Sequence, residues 1–242
     1  MGHFHSMSTG ISKSSPVILA LDVDTQAEAL VWVDRLKAHV DIFKVGLQLF
    51  SREGFPVVAA IVQTGKKVFI DLKLYDIPNT VSRAVRALAQ PGVEFLTVHA
   101  SGGSDMLGAA ATTLKDIRAK NPQVTTRLLA VTVLTSFDET DLREIGVDHS
   151  LQGQVLNLAR LAKSSGVDGL VASPNEVQLL RREIGNDLVI VTPGVRLAGT
   201  DVQDQKRVMT PQAALKEGSN FLVMGRSLLE VPNPEQVLSS LR

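Results

Sequence analysis

The chain contains no cysteine, which excludes disulfides, thiolate nucleophiles and cysteine-ligated metals. It also lacks a charge excess, because 25 basic side chains balance 25 acidic ones. Neutrality argues against nucleic acid or an anionic membrane as the main partner, although it permits a local basic pocket. No apolar run reaches the roughly 20 residues that a spanning helix requires. The first residues, MGHFHSMSTGISKSS, lack a signal-peptide hydrophobic region. Residues 1–15 read as a disordered polar tail or as added residues, with Met7 a candidate native start and His3 and His5 part of the tail. Aromatics make up only 4% of the chain, so a core of this size must be built from aliphatic side chains. These exclusions leave a cytoplasmic enzyme as the default expectation, with neither nucleic acid nor a membrane as its main partner.

What is present is a strict alternation. Short β-rich runs occur at 16–22, 41–46, 67–72, 94–99, 127–134, 166–173, 188–194 and 220–225. Between them lie segments with apolar residues every three or four positions, such as AEALVWVDRLKAHV and QVLNLARLAKSS, the spacing of an amphipathic helix. Alternating strands and helices imply a parallel sheet covered on both faces, which explains strands that are apolar throughout. Eight strands and about eight helices predict an α/β fold, a single-domain (β/α)8 TIM barrel over 16–242.

A barrel of this class carries its site at the C-terminal strand ends. Those ends hold Asp22, Lys44, Asp71 with Lys73, His99, Thr132 and Thr135, Ser173, Arg196, and Gly225 with Arg226. The third strand is the most unusual, because FIDLKLYDIPNT runs from a buried strand into Asp71, Lys73 and Asp76. Side chains at i and i+2 share a strand face, so Asp71 and Lys73 are expected to point together toward the barrel mouth. With Lys44 on the neighbouring strand, the expected row is Lys44, Asp71, Lys73, Asp76. An inert Asp71–Lys73 ion pair, with Asp76 merely helping to cap the helix opened by Pro78, is the competing reading. Carboxylates on both sides would keep Lys73 an ammonium: a poor base, a proton donor, and a stabiliser of nearby negative charge. Asp71 would repel a substrate carboxylate. The set therefore suits loss of a carboxylate followed by protonation of the carbanion.

The last two strands lead into TPGVR (192–196) and MGRSLLE (224–230). Each pairs a glycine, permitting close backbone approach, with an arginine that can grip a phosphate. The polar segment RLAGTDVQDQ (196–205) is a candidate lid.

The motif DLKLYDIPNT, with LALD, FKVG, VHASGG, AVTVLTS, VTPGVR, DQKRVMTP and VMGR, resembles the bacterial branch of the orotidine 5′-phosphate decarboxylase family along nearly the whole chain. The resemblance implies a homodimeric barrel working without cofactor or metal. It implies conversion of orotidine 5′-monophosphate to UMP and carbon dioxide, the last step of pyrimidine nucleotide synthesis. On the matching positions, Asp22 and Lys44 would contact the ribose hydroxyls, and Lys44 would also join the charged row. Asp71 would crowd the departing carboxylate, and Lys73 would protonate C6. Asp76 and Thr80 would enter the neighbouring subunit's site. Thr135 would touch the pyrimidine edge, and Gln205 would bridge base and phosphate. Arg196, Gly225 and Arg226 would hold the phosphate. His99 matches no catalytic position and is expected to be structural. Metal-dependent sugar-phosphate decarboxylases and aldolases share the shorter DxKxxD but carry a metal-binding Glu where this chain has Lys44. A non-catalytic barrel binding a phosphorylated ligand is the other alternative.

Overall fold

The computed structural model describes residues 15–196 and 209–241. Eight parallel strands close on themselves in sequence order: β1 (Val17–Ala20), β2 (Ile42–Gly46), β3 (Lys67–Leu74), β4 (Val93–His99), β5 (Arg127–Val131), β6 (Gly169–Val171), β7 (Val189–Thr192) and β8 (Phe221–Met224), with β8 pairing back to β1. The fold is the single-domain (β/α)8 barrel expected from the sequence. All four residues of β1 and all five of β2 are buried, as a sheet covered on both faces demands.

Helices follow the strands, with more pieces than the sequence suggested. The segment after β2 splits into Leu47–Glu53 and Phe55–Gln63 around Gly54, whose φ of +64° interrupts the helix. Two helices also follow β5, Glu139–Glu144 and Leu151–Ser164, and two short ones follow β8, Arg226–Leu229 and Pro234–Ser239. Local chemistry sets several boundaries. Thr25 and Glu28 form a reciprocal capping box at the start of Gln26–Leu36. Pro78 opens Pro78–Leu88 at a position where its missing N–H costs nothing.

Several strands are shorter than their apolar runs. The expected strand at 166–173 is confined to Gly169–Val171, because Gly166 adopts a φ of +82° that only a turn accommodates. The run at 188–194 stops at Thr192, where Pro193 has no N–H to donate and Gly194 has a φ of +80°. The run at 127–134 is strand only as far as Val131, although the Thr132 N–H still donates to the Val171 carbonyl at 3.2 Å.

Two cores result. The larger lies between strands and helices, and the smaller fills the barrel with Ile18, Ile42, Phe69, Phe95, Leu129 and Val191. Phe95 meets Phe69 edge-on at 5.6 Å between ring centres and Phe221 at 5.4 Å. Below this layer, Glu94 is nearly buried and binds Lys67 at 2.6 Å and also Arg127. The Arg127 guanidinium lies 4.5 Å from the centre of the Phe95 ring. An aromatic and ionic plug thus closes the bottom of the barrel. Among the described residues, no helix is long and apolar enough to cross a membrane.

Candidate active site

The polar rim residues converge above the Phe69 layer. Lys44 and Asp71, each 9% exposed, are buried charges at this rim. The Lys44 ammonium lies 3.5 Å from Asp22 Oδ1 and 3.6 Å from Asp71 Oδ2. Lys73 Nζ donates to both Asp71 oxygens at 3.0 Å. Within one chain the charges therefore alternate Asp22, Lys44, Asp71, Lys73, a formally neutral row across β1, β2 and β3. Asp76 is not part of it. Asp76 is exposed and accepts a hydrogen bond from the Ile77 N–H at 2.6 Å, and it makes no ion pair among the described residues. Thr80, one helical turn beyond, is exposed as well. The one-chain row expected to end at Asp76 thus ends at Lys73 and begins one strand earlier, at Asp22.

The Asp71–Lys73 pair does not arise from a regular pleat. Ile70 pairs with Leu96 and Leu74 with Val98, so β3 advances four residues while β4 advances two. The extra length bulges at Asp71 to Lys73, and Lys73 has a φ of +50°, a left-handed conformation unusual for a lysine. Thr97 sits opposite the bulge, 1% exposed. Its Oγ1 accepts from the Lys73 backbone N–H at 2.9 Å and donates to Asp71 Oδ1 at 3.0 Å. Sequence reasoning missed Thr97. The one signal was a hydroxyl inside the apolar run EFLTVH, two residues before the rim position His99.

Burial by itself would push the Asp71 carboxyl up. The charges of Lys44 and Lys73, with hydrogen bonds from Lys73 and Thr97, more than offset this and hold it below the ordinary carboxylate value. Half-buried His99, at the end of β4, stacks obliquely on Tyr75 with 5.8 Å between ring centres. Burial first, then the Lys73 charge, lowers its affinity for a proton, and Asp71 only partly opposes this.

The row forms one wall of a cavity of about 220 Å³. Val131, Val133, Leu134 and Thr135 supply an edge that is apolar except for the threonine. Gly194, Arg196, Gly225 and Arg226 also line it, with Arg196 half-buried and Arg226 exposed. Two glycines keep the space open. A Cβ on Gly225 would come within 2.9 Å of Asp22 Oδ2, and one on Gly46 within 2.9 Å of Lys44 Nζ. Ser173, two residues past the end of β6, is fully buried. Gln205 and nearly all of the candidate lid lie outside the described residues. Two arginines, a largely apolar edge and a neutral ionic wall together fit a phosphorylated ligand with a flat, partly apolar body.

Comparison with known proteins gives the same direction. A family model described as "Orotidine 5'-phosphate decarboxylase / HUMPS family" matches residues 15–241. The orotidine 5′-phosphate decarboxylase of Aliivibrio fischeri (strain MJ11) is 45% identical over 229 residues, covering 95% of this chain and 96% of its own. That of Syntrophotalea carbinolica is 48% identical over 218 residues, 90% of this chain and 89% of its own. A crystal structure of orotidine 5′-phosphate decarboxylase from Lactobacillus acidophilus superposes with a TM-score of 0.80 at 38% identity, over 94% of this chain and 97% of that one. With fold and sequence in agreement over nearly its full length, the chain belongs to the orotidine 5′-phosphate decarboxylase / HUMPS family.

Proposed function

We propose that the protein decarboxylates orotidine 5′-monophosphate to UMP and carbon dioxide, the closing step of UMP synthesis, as a cofactor-free cytoplasmic homodimer. The observation that carries this reading is the bidentate Lys73–Asp71 pair, lining the same cavity as two arginines, Arg196 and Arg226. Arg196, Gly225 and Arg226 hold the 5′-phosphate, and Asp22 and Lys44 take the ribose hydroxyls. Thr135 reads the pyrimidine edge, with Gln205 reaching base and phosphate from the lid. Anchored in this way, the substrate presents its C6 carboxylate to Asp71.

The chemistry then follows from fixed charges. Two carboxylates in one desolvated site repel, so Asp71 disfavours the bound substrate more than the transition state, in which the negative charge moves from the carboxylate onto C6. The C6–carboxylate bond breaks, its electron pair stays on C6, and carbon dioxide leaves. An Nζ–H bond of Lys73 breaks as its proton moves to C6. The resulting amine regains a proton from solvent, and the cycle closes with no net redox change.

The dimer is inferred from the loop after β3. Asp76 and Thr80 are exposed, Asp76 makes no ion pair with its own chain's row among the described residues, and Tyr75 and Ile77 beside it are 63% and 66% exposed. Leu47, at the end of neighbouring β2, is 56% exposed. Large exposed apolar side chains around two polar ones suit a subunit interface. In this arrangement Asp76 and Thr80 enter the partner's cavity, where Asp76 extends the row beyond Lys73.

The metal-dependent chemistry of other barrels with DxKxxD does not fit this donor set. The ammonium of Lys44 lies 3.6 Å from Asp71, where a divalent ion would meet a positive charge. The test is to follow the ultraviolet change and carbon dioxide release from orotidine 5′-monophosphate, with and without a chelator. Chelator-insensitive turnover is expected. No turnover at saturating enzyme would leave a phosphate-binding barrel, and turnover restored by magnesium would return the metal reading.

A further inference from the structure

Asp71 and Lys73 need a third group to hold them, and β4 provides it. We propose that Thr97 is a positioning residue for the decarboxylation, its hydroxyl fixing both the carboxylate of Asp71 and the backbone that aims Lys73. This rests on the proposed function and adds a residue to it.

The hydroxyl has one proton and two lone pairs. The Lys73 backbone N–H can only donate, so Thr97 Oγ1 must accept from it, at 2.9 Å. The hydroxyl proton is then committed to Asp71 Oδ1, at 3.0 Å. At 1% exposure, no solvent competes for either bond. A β-branched residue in a strand has little χ1 freedom, so the oxygen stays where the backbone holds it.

Both partners require such support. The bulge takes Lys73 out of the ladder between the Ile70–Leu96 and Leu74–Val98 pairs. Its N–H finds the Thr97 hydroxyl there. A left-handed lysine is strained and persists only where its surroundings hold it. Asp71, for its part, has Lys44 at 3.6 Å and Lys73 at 3.0 Å, both on flexible stems. Thr97 is its rigid neighbour. Loss of the hydroxyl therefore leaves the charges in place and loosens their aim, which affects the chemical step more than binding.

Thr97→Val replaces the hydroxyl with a methyl of nearly equal volume, and Thr97→Ser keeps the hydroxyl while removing the methyl. For orotidine 5′-monophosphate, kcat of the valine variant is expected to fall about tenfold to hundredfold, the factor expected of a hydrogen bond to a charged group. KM should stay within about threefold and thermal unfolding should remain cooperative. The serine variant should keep kcat within about threefold of the wild type. Thr97→Ala serves as the hydroxyl-free variant should the valine not fold. A hydroxyl-free variant with kcat within about twofold of the wild type overturns the proposal. So does a serine variant as impaired as the valine, because the loss would then follow packing of the methyl. A wild-type protein without turnover overturns instead the function on which the proposal rests.

Discussion

Lys73 Nζ is equidistant from the two carboxylate oxygens of Asp71, 3.0 Å from each, so the ammonium straddles the carboxylate. Two of its three protons are thereby committed, leaving the third for the cavity. Removing Lys73 leaves Lys44 beside Asp71, so the carboxylate keeps a counter-charge. Lys73→Ala is therefore expected to fold, with a circular dichroism spectrum like the wild type. Its turnover should fall by about three orders of magnitude or more, the scale of a lost proton donor. Turnover close to wild type would remove Lys73 from the protonation step.

Asp76 and Thr80 give the dimer a sharper test than its size. If Asp76 works in the partner's cavity, Lys73→Ala and Asp76→Ala chains are each inactive as homodimers. A mixed dimer contains one site with both residues intact. Co-refolding equal amounts should restore about a quarter of the wild-type activity, since about half of the dimers are mixed and each has one good site. Absence of recovery, with subunit exchange verified by tagged chains, would return Asp76 to its own chain.

His99 should give a pH signature in stability. Burial and Lys73 favour the neutral imidazole, so its folded value lies below the ordinary 6.5, with Asp71 opposing and Tyr75 covering one side. A depressed value means the unfolded chain takes up the proton first. The contribution is complete above about pH 6.5 and is lost as pH falls through the folded value. Urea midpoints of the wild type should drop between about pH 7 and about pH 5 by more than those of His99→Gln. Parallel pH curves for the two proteins would assign the acid sensitivity elsewhere.

The bottom of the barrel should separate stability from chemistry. Glu94 is bound by Lys67 and Arg127 on the far side of the Phe69–Phe95 layer from the cavity. Glu94→Ala leaves two partly exposed cations without their carboxylate and is expected to destabilise the fold by about 1–2 kcal/mol in urea titration. At temperatures where the variant is folded, kcat and KM should match the wild type. A large change in kcat would mean that the plug is mechanically coupled to the rim.

The fold was legible because its signals were local. Runs such as PVILALD and NFLVMG are apolar on both faces, and a sheet covered on both sides is the arrangement that uses such strands. The strand ends were harder to read, since Gly166 and Gly194 break the strands through backbone angles that hydrophobicity does not record. In the site, Lys44 and Asp71 were recognisable as charges embedded in apolar runs. Their pairing with Asp22 was not, because it depends on the β1–β2 register, Ala20 with Lys44. Thr97 stayed hidden for a similar reason. A threonine in a strand is common, and only the unequal advance of β3 and β4 sets its hydroxyl against the bulge.

That bulge changes what the motif means as a portable object. Asp-x-Lys occurs wherever a strand alternates its faces, and on a flat strand it would set two side chains in file, pointing outward in parallel. Here the lysine main chain turns left-handed, its ammonium folds back onto the aspartate, and a hydroxyl from the next strand locks the turn. Grafting the three letters onto another barrel would transfer the charges without their geometry. The smallest transferable unit is two adjacent strands with mismatched register, and the threonine belongs to it as much as the lysine does.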